Sequence, residues 1–258
     1  MKQNRILTVA DKQMLNDHNV LLKLTGNTPL PKMMPGQFVQ VKVDGSATTF
    51  LRRPISINYY DPDSNQLWLL VQMRGDGTRS LARLSKGDKL DILLPLGNGF
   101  TPEVEAGKKV LLVGGGVGTA PLLLYGRYIR EKGGVPVFLL GGKTKADVLQ
   151  TELFRQYGEL FVTTEDGSMG EKGFVTQHSV LGKADFSRIS VCGPKPMMMA
   201  VAQYAMRVGI ECEVSLENMM ACGLGACLCC VEKTTKGNVC VCTEGPVFNI
   251  RQLTWFDN

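Results

Sequence analysis

Six of the eight cysteines in this chain fall within residues 222–242, in the run ACGLGACLCC and in VCVCTEGPVF just after it. Cysteines packed this densely are either cross-linked or bound to metal. The long stretch before Cys192 has no cysteine, and the opening MKQNRILTVADKQML has no apolar run of signal-peptide length. A cytoplasmic chain with ligated thiols is therefore expected, rather than a disulfide miniprotein. Four residues separate Cys222 from Cys227, two separate Cys227 from Cys230, and eleven separate Cys230 from Cys242. That is the spacing of a plant-type 2Fe–2S site. Gly223, Gly225 and Ala226 let the backbone wrap closely and aim N–H groups at sulfur. The alternative, a zinc-binding interaction module, calls for a second, well-separated C-x2-C pair, which the sequence lacks. Spacing leaves open whether Cys240 or Cys242 is the fourth ligand; Cys229 and the remaining one read as small thiols without a role.

Composition narrows the function further. The 258 residues are 44% hydrophobic and carry a formal charge of +5 with no basic block, which argues for an ordinary core and against nucleic-acid binding. No window has the apolar length of a membrane helix. His18 and His178 are the only histidines, and neither a Ser/His/Asp set nor H-E-x-x-H is present. Hydrolytic chemistry is not expected, and no side chain is assigned as catalytic: bound cofactors would carry the reaction.

The rhythm of the chain changes twice. Up to about residue 100, short apolar or alternating runs (ILTVAD, NVLLKLTG, GQFVQVKV, RRPISINYY, LWLLVQM, DKLDILLPL) separated by Gly and Pro turns predict an antiparallel β-barrel, with one short helix from Thr78 to Leu84. Residues 101–213 then alternate strand and helix, with helices expected over Thr119 to Lys132 and around Ala146 to Tyr157, which predicts an α/β domain with a parallel sheet. Residues 214–258 have little periodicity and are expected to fold around what the cysteines bind. The fold expected is thus a β-barrel domain (1–100), an α/β nucleotide domain (101–213) and a small C-terminal 2Fe–2S domain (214–258).

Two further motifs fit cofactors. Arg53-Pro54-Ile55-Ser56, followed by Gly77-Thr78, supplies a cation for a pyrophosphate, a hydroxyl near a flavin nitrogen and a helix N-terminus for phosphate, as an FAD site requires. GGGVGTAP, at a strand-to-helix junction, places Gly116 and Gly118 where a dinucleotide pyrophosphate meets a helix N-terminus. It is not a full G-x-G-x-x-G, and no acidic residue ends VPVFLLGG. Lys143 and Lys145 follow that strand and leave NAD against NADP open. Cys192-Gly193-Pro194 ends a later strand and is expected beside the glycine loop. Met197, Met198 and Met199 read as helix core.

In order, RPIS, GT, GGGVGTAPL, CGPKPM and the terminal cysteine patch resemble the ferredoxin-NADP reductase superfamily. SLENMMACGLGACLCCVEK and VCTEGPVF narrow the resemblance to the electron-transfer subunits of dihydroorotate dehydrogenase B. The resemblance implies FAD contacts at Arg53 to Ser56, at Leu70, Val71 and Gln72, and at Gly77 and Thr78. It implies cluster ligands Cys222, Cys227, Cys230 and Cys242, with Cys229 standing where the family usually has a small non-cysteine residue. It further implies a heterotetramer with an FMN-containing dihydroorotate dehydrogenase catalytic subunit, the cluster bridging FMN and FAD, and hydride exchange between FAD and NAD(H) at the glycine loop and Cys192-Gly193-Pro194, in pyrimidine biosynthesis. A neighbouring expectation is a subunit of another iron–sulfur flavoprotein, of the NADPH:ferredoxin or sulfide reductase type.

Overall fold

The computed structural model describes residues 2–183 and 185–256. They form two compact units. One contains the chain up to Gly99 with Asn218–Glu232 and Val239–Pro246; the other contains Phe100–Glu217, Lys233–Asn238 and the chain from Val247. Residues 214–258 are thus divided between the units. Their few buried apolar side chains, among them Met220, Val241, Phe248 and Leu253, are scattered along the segment and are too few to build a core of their own.

The first unit is a six-stranded antiparallel barrel. Its strands are β1 (Gln3–Asn16), β2 (Asn19–Thr25), β3 (Phe38–Val41), β4 (Arg53–Asp61), β5 (Gln66–Gln72) and β6 (Lys89–Leu96), closed in the order β1-β2-β5-β4-β3-β6. The two-residue period decides what fills it. On β6, Leu90, Ile92 and Leu94 are buried, while Lys89 is exposed and Asp91 and Leu93 are half-buried. Val41 pairs with Ile92 and so shares the inward face. Between β5 and β6 lies α1 (Asp76–Arg83), which starts two residues before the expected Thr78. The Thr78 hydroxyl sets that start by accepting from the backbone N–H groups of Arg74 (2.9 Å) and Gly75 (3.1 Å).

The second unit runs β7 (Lys109–Gly115), α2 (Ala120–Glu131), β8 (Val135–Gly142), α3 (Thr151–Tyr157), β9 (Glu159–Thr164), β10 (Glu171–Lys172), β11 (Phe186–Cys192), α4 (Lys195–Val208) and β12 (Glu211–Ser215). A hairpin of β13 (Val231–Thr234) and β14 (Gly237–Cys240), a single turn α5 (Val241–Glu244) and β15 (Val247–Asn249) follow in the chain. The large sheet has the order β10-β9-β8-β7-β11-β12-β15, parallel throughout except for β15, which pairs antiparallel with β12. Within the run KKVLLVGGG, Val110 to Gly115 are all buried, on both faces, as a central parallel strand requires.

The second helix differs from its expected span: a one-turn 3-10 helix at Lys145–Asp147 and α3 replace one continuous helix from Ala146. Gln150 between them adopts φ 56°, a left-handed conformation that a helix cannot propagate through. On β12, buried Glu213 accepts from Thr101 N and Oγ1 (3.1 and 2.8 Å) and from Ser190 Oγ (2.7 Å), tying the start of this unit to β11 and β12.

Candidate cofactor sites

The β4/β5 ladder runs from Asp61 opposite Gln66 to Ile57 opposite Leu69, with a register shift between Ile57 and Tyr59, and goes no further. Beyond it Arg53–Ser56 pair only with β3, while Leu70, Val71 and Gln72 pair only with β2. The barrel wall therefore opens between the two stretches for which the resemblance implies FAD contacts, and their facing backbone groups are free of the β4/β5 ladder. A planar ring edge inserted there would meet ready donors and acceptors.

At the same end of β4, Arg53 reaches the start of α1. A Cβ on Gly77 would lie 2.8 Å from Arg53 Nε and 3.0 Å from Thr49 Cγ2, which places the guanidinium close against the helix N-terminus. Neighbouring Arg52 is committed to Asp91 at 2.9 Å, whereas among the described residues Arg53 forms no ion pair and reaches only the Arg52 carbonyl at 3.5 Å. Asp76, the one acid in this turn, is engaged by Thr48 (2.7 Å) and Arg79 (3.0 Å), which together hold its carboxyl below the usual carboxylate range. An uncommitted guanidinium beside free helix N–H groups is a phosphate cradle. The Thr78 side chain belongs to the turn itself, since its hydroxyl also donates to Gly75 O (3.0 Å).

The cysteine loop belongs to the same unit. Gly223 (φ 70°) packs against the barrel, where a Cβ would lie 2.8 Å from Gln40 Cγ and 3.1 Å from Leu96 Cδ1. Gly225 (φ 85°) packs against Thr243, and Leu228 takes φ 56°. The end of β6 holds the other half of the loop: Asn98 Nδ2 donates to the carbonyls of Thr243 (2.9 Å) and Glu244 (3.1 Å). Inside this frame backbone donors point at sulfur, Leu224 N to Cys222 Sγ at 3.3 Å, Gly225 N to Cys242 Sγ at 3.2 Å and Cys242 N to Cys230 Sγ at 3.4 Å. Cys227 lies beside Cys222, and both Cys240 and Cys242 lie beside Cys230. Among the described residues no three His, Cys, Asp or Glu side chains gather as one single-ion site. Thiols crowded in one loop, with backbone N–H groups turned toward their sulfurs, suit an iron–sulfur cluster.

The Cys222 and Cys242 thiols are shifted in opposite directions. Burial raises Cys222, but backbone N–H groups of Leu224, Cys227 and Ala226 outweigh it and bring the thiol down to about 6. Burial, followed by the Cys230 thiol, pushes Cys242 up to about 12. Cys240 also lies beside Cys230, but its thiol donates to the Gly225 carbonyl at 3.8 Å. Cys229 is exposed.

In the second unit the glycine loop and Cys192-Gly193-Pro194 meet at the C-terminal ends of β7 and β11, where Gly114 is the register partner of Cys192. A Cβ on Gly118 would lie 2.5 Å from Gly193 Cα and 2.6 Å from the Cys192 carbonyl oxygen. Gly116 has φ 56° and Gly193 φ 153°, both in glycine territory. Burial, then Glu217, raises Cys192 well above the usual thiol range, so its thiol stays neutral and the loop contributes shape, not a nucleophile. Met197, read from sequence as helix core, instead abuts this site: its Sδ would lie 2.6 Å from a Cβ on Gly115 and its Cε 2.7 Å from one on Gly193. Gln40, Asn98 and Met197 are the site-forming residues that sequence reasoning missed.

Known proteins match this division of labour. The iron-sulfur cluster binding domain of dihydroorotate dehydrogenase B matches residues 217–254, which contain every cysteine of the loop, and the oxidoreductase NAD-binding domain matches residues 112–203. Over 258 residues the chain is 39% identical to the dihydroorotate dehydrogenase B (NAD(+)) electron transfer subunit of Shouchella clausii, covering 98% of both chains. It is 42% identical over 223 residues to the protein of the same name from Caldanaerobacter subterraneus subsp. tengcongensis, covering 84% of this chain and 85% of that one. Among solved structures, one of an NADH-dependent reduced ferredoxin-NADP oxidoreductase superposes with a TM-score of 0.86 at 28% identity, covering 96% of this chain and 90% of the other. With a cysteine loop whose sulfurs receive backbone N–H groups, a glycine loop at the sheet edge and relatives alike over nearly their whole length, the chain belongs to the family of dihydroorotate dehydrogenase B electron transfer subunits.

Proposed function

We propose that this chain carries the two electrons of dihydroorotate oxidation from an FMN-containing catalytic subunit to NAD+, in a cytoplasmic heterotetramer of two catalytic and two electron-transfer subunits. Overall, dihydroorotate and NAD+ become orotate, NADH and a proton. The observation that carries the reading is that one compact unit holds both the cysteine loop and the Arg53/Gly77 cradle. When bound, the 2Fe–2S cluster supplies single-electron exchange, and FAD couples it to hydride exchange with the nicotinamide.

The residues of the chain do the rest by binding and positioning. Arg53 and the N–H groups of Gly77 and Thr78 hold the FAD pyrophosphate. Pro54, Ile55 and Ser56 on one side, and Leu70, Val71 and Gln72 on the other, line the ring, with the Ser56 hydroxyl offered to the flavin's redox-active nitrogen. Cys222 and Cys227 hold one iron, and Cys230 and Cys242 the other. Gly116 and Gly118, with Cys192, Gly193 and Pro194, admit the nicotinamide dinucleotide. Exposed Met219, Leu224 and Leu228 surround the cysteine loop with apolar surface suited to the catalytic subunit. The base that removes a proton from dihydroorotate is assigned to that subunit, because no motif of this chain supplies one.

The likeness to the reduced ferredoxin-NADP oxidoreductase favours a second reading, in which a ferredoxin takes the place of the FMN subunit. Composition of the purified protein tests what the two readings share. About one FAD, two irons and two sulfides per chain, with a brown colour, are expected; a colourless protein holding zinc would overturn both. Faster reduction by reduced ferredoxin than by the dihydroorotate-reduced FMN subunit would favour the second.

A further inference from the structure

Gln40 is fully buried, and both its side-chain atoms, Nε2 and Oε1, lack a hydrogen-bond partner in the protein. Elsewhere among the described residues such orphaned buried side-chain atoms are single, Asn19 Oδ1 and Trp255 Nε1. A carboxamide buried without partners is unfavourable, and a leucine of similar size would fill the space without that penalty. The position therefore calls for a ligand.

Register and packing indicate which one. Gln40 is opposite Pro54 across the β3/β4 ladder, and Phe38 is opposite Ser56, so Gln40 shares the outer face of the barrel with Pro54 and Ser56. On that face its side chain runs along Gly223, whose Cβ would lie 3.1 Å from Gln40 Nε2. Gly223 directly follows Cys222, and the loop already turns the N–H groups of Leu224, Gly225 and Cys242 toward cysteine sulfurs. What a sulfur-rich, negatively charged group lacks from the barrel side is a donor, and Nε2 carries two N–H bonds.

Resting on the cluster assignment above, we infer that Gln40 is a positioning residue whose side-chain N–H donates to a sulfur of the 2Fe–2S cluster and raises its reduction potential. The bond is stronger when the cluster carries its extra negative charge, so it favours the reduced state. From the barrel face it shares with Pro54 and Ser56, Gln40 sets the cluster's potential relative to the flavin's.

The test uses the holoenzyme with its catalytic subunit. In Gln40→Leu the cluster midpoint, followed by electron paramagnetic resonance, is expected to move to more negative potential at unchanged iron content, while the FAD midpoint stays in place; Gln40→Asn, too short to reach, should move the same way. In the unmodified protein carrying nitrogen-15 glutamine, the reduced cluster should show a nitrogen-15 coupling, which remains readable even where Gln40→Leu does not assemble. An unmoved cluster midpoint at full iron content, a shift of the FAD midpoint alone, or no glutamine coupling would overturn the inference. Each of these requires a protein loaded with cluster, whereas failure of the cluster assignment itself would appear as a protein without iron.

Discussion

Serine in place of Cys222, Cys227, Cys230 or Cys242 is expected to yield protein without iron or sulfide and to abolish dihydroorotate-dependent NAD+ reduction, while NADH-to-dye turnover survives. A cluster of two irons held by four thiolates has no spare protein ligand, so a single loss leaves one iron short of a thiolate. Cys230 and Cys242 are 2% and 1% exposed, and water has little access to fill the vacated position. NADH-to-dye turnover needs only the residues assigned to flavin and nucleotide. Cys229→Ser and Cys240→Ser should keep full clusters, Cys229 because it is exposed and Cys240 because its thiol is turned to the Gly225 carbonyl. Iron and sulfide analysis of the six variants decides: a full cluster in Cys242→Ser with loss in Cys240→Ser would exchange the two.

Arg53→Ala should weaken FAD binding by roughly ten- to a hundredfold, since a hydrogen bond to a charged group is worth about 1.5–3 kcal/mol. Arg53 is the right residue to test because it approaches the α1 N-terminus without an ion pair, whereas adjacent Arg52 is held by Asp91. Lysine at position 53 should recover only part of the affinity, because an ammonium group cannot make the paired contact a guanidinium makes to phosphate. Flavin released on dilution, read by fluorescence, measures the effect; unchanged retention in Arg53→Ala would remove this residue from the site.

These residues differ in how far the sequence alone reveals them. The cysteine spacing, the RPIS run and the GGGVG turn are local signals, because their chemistry requires residues close along the chain. The alternating runs of the first hundred residues likewise lead to the barrel. Gln40 could not be read this way. In GQFVQVKV it looks like a solvent-facing polar residue of an alternating strand, and it is buried through contact with Gly223, far away in the sequence. Met197 is hidden for a similar reason: helical periodicity shows that it packs, but not that it packs against Gly115 and Gly193. The divided second helix depends on the left-handed Gln150, a conformation that no glycine or asparagine at that position announces. The C-terminal segment reads as one cysteine-rich unit, yet β15 completes the large sheet while the cysteine loop packs on the barrel.

Whether this chain relays electrons that it cannot itself withdraw from dihydroorotate is decided by NADH formation from dihydroorotate and NAD+ in three samples. These are the purified chain alone, the FMN-containing subunit alone, and the two combined. The account predicts NADH formation only in the combined sample, although the chain alone oxidises NADH with a dye. Dihydroorotate-dependent NADH formation by the isolated chain, or none by the combined sample with all cofactors in place, would contradict it.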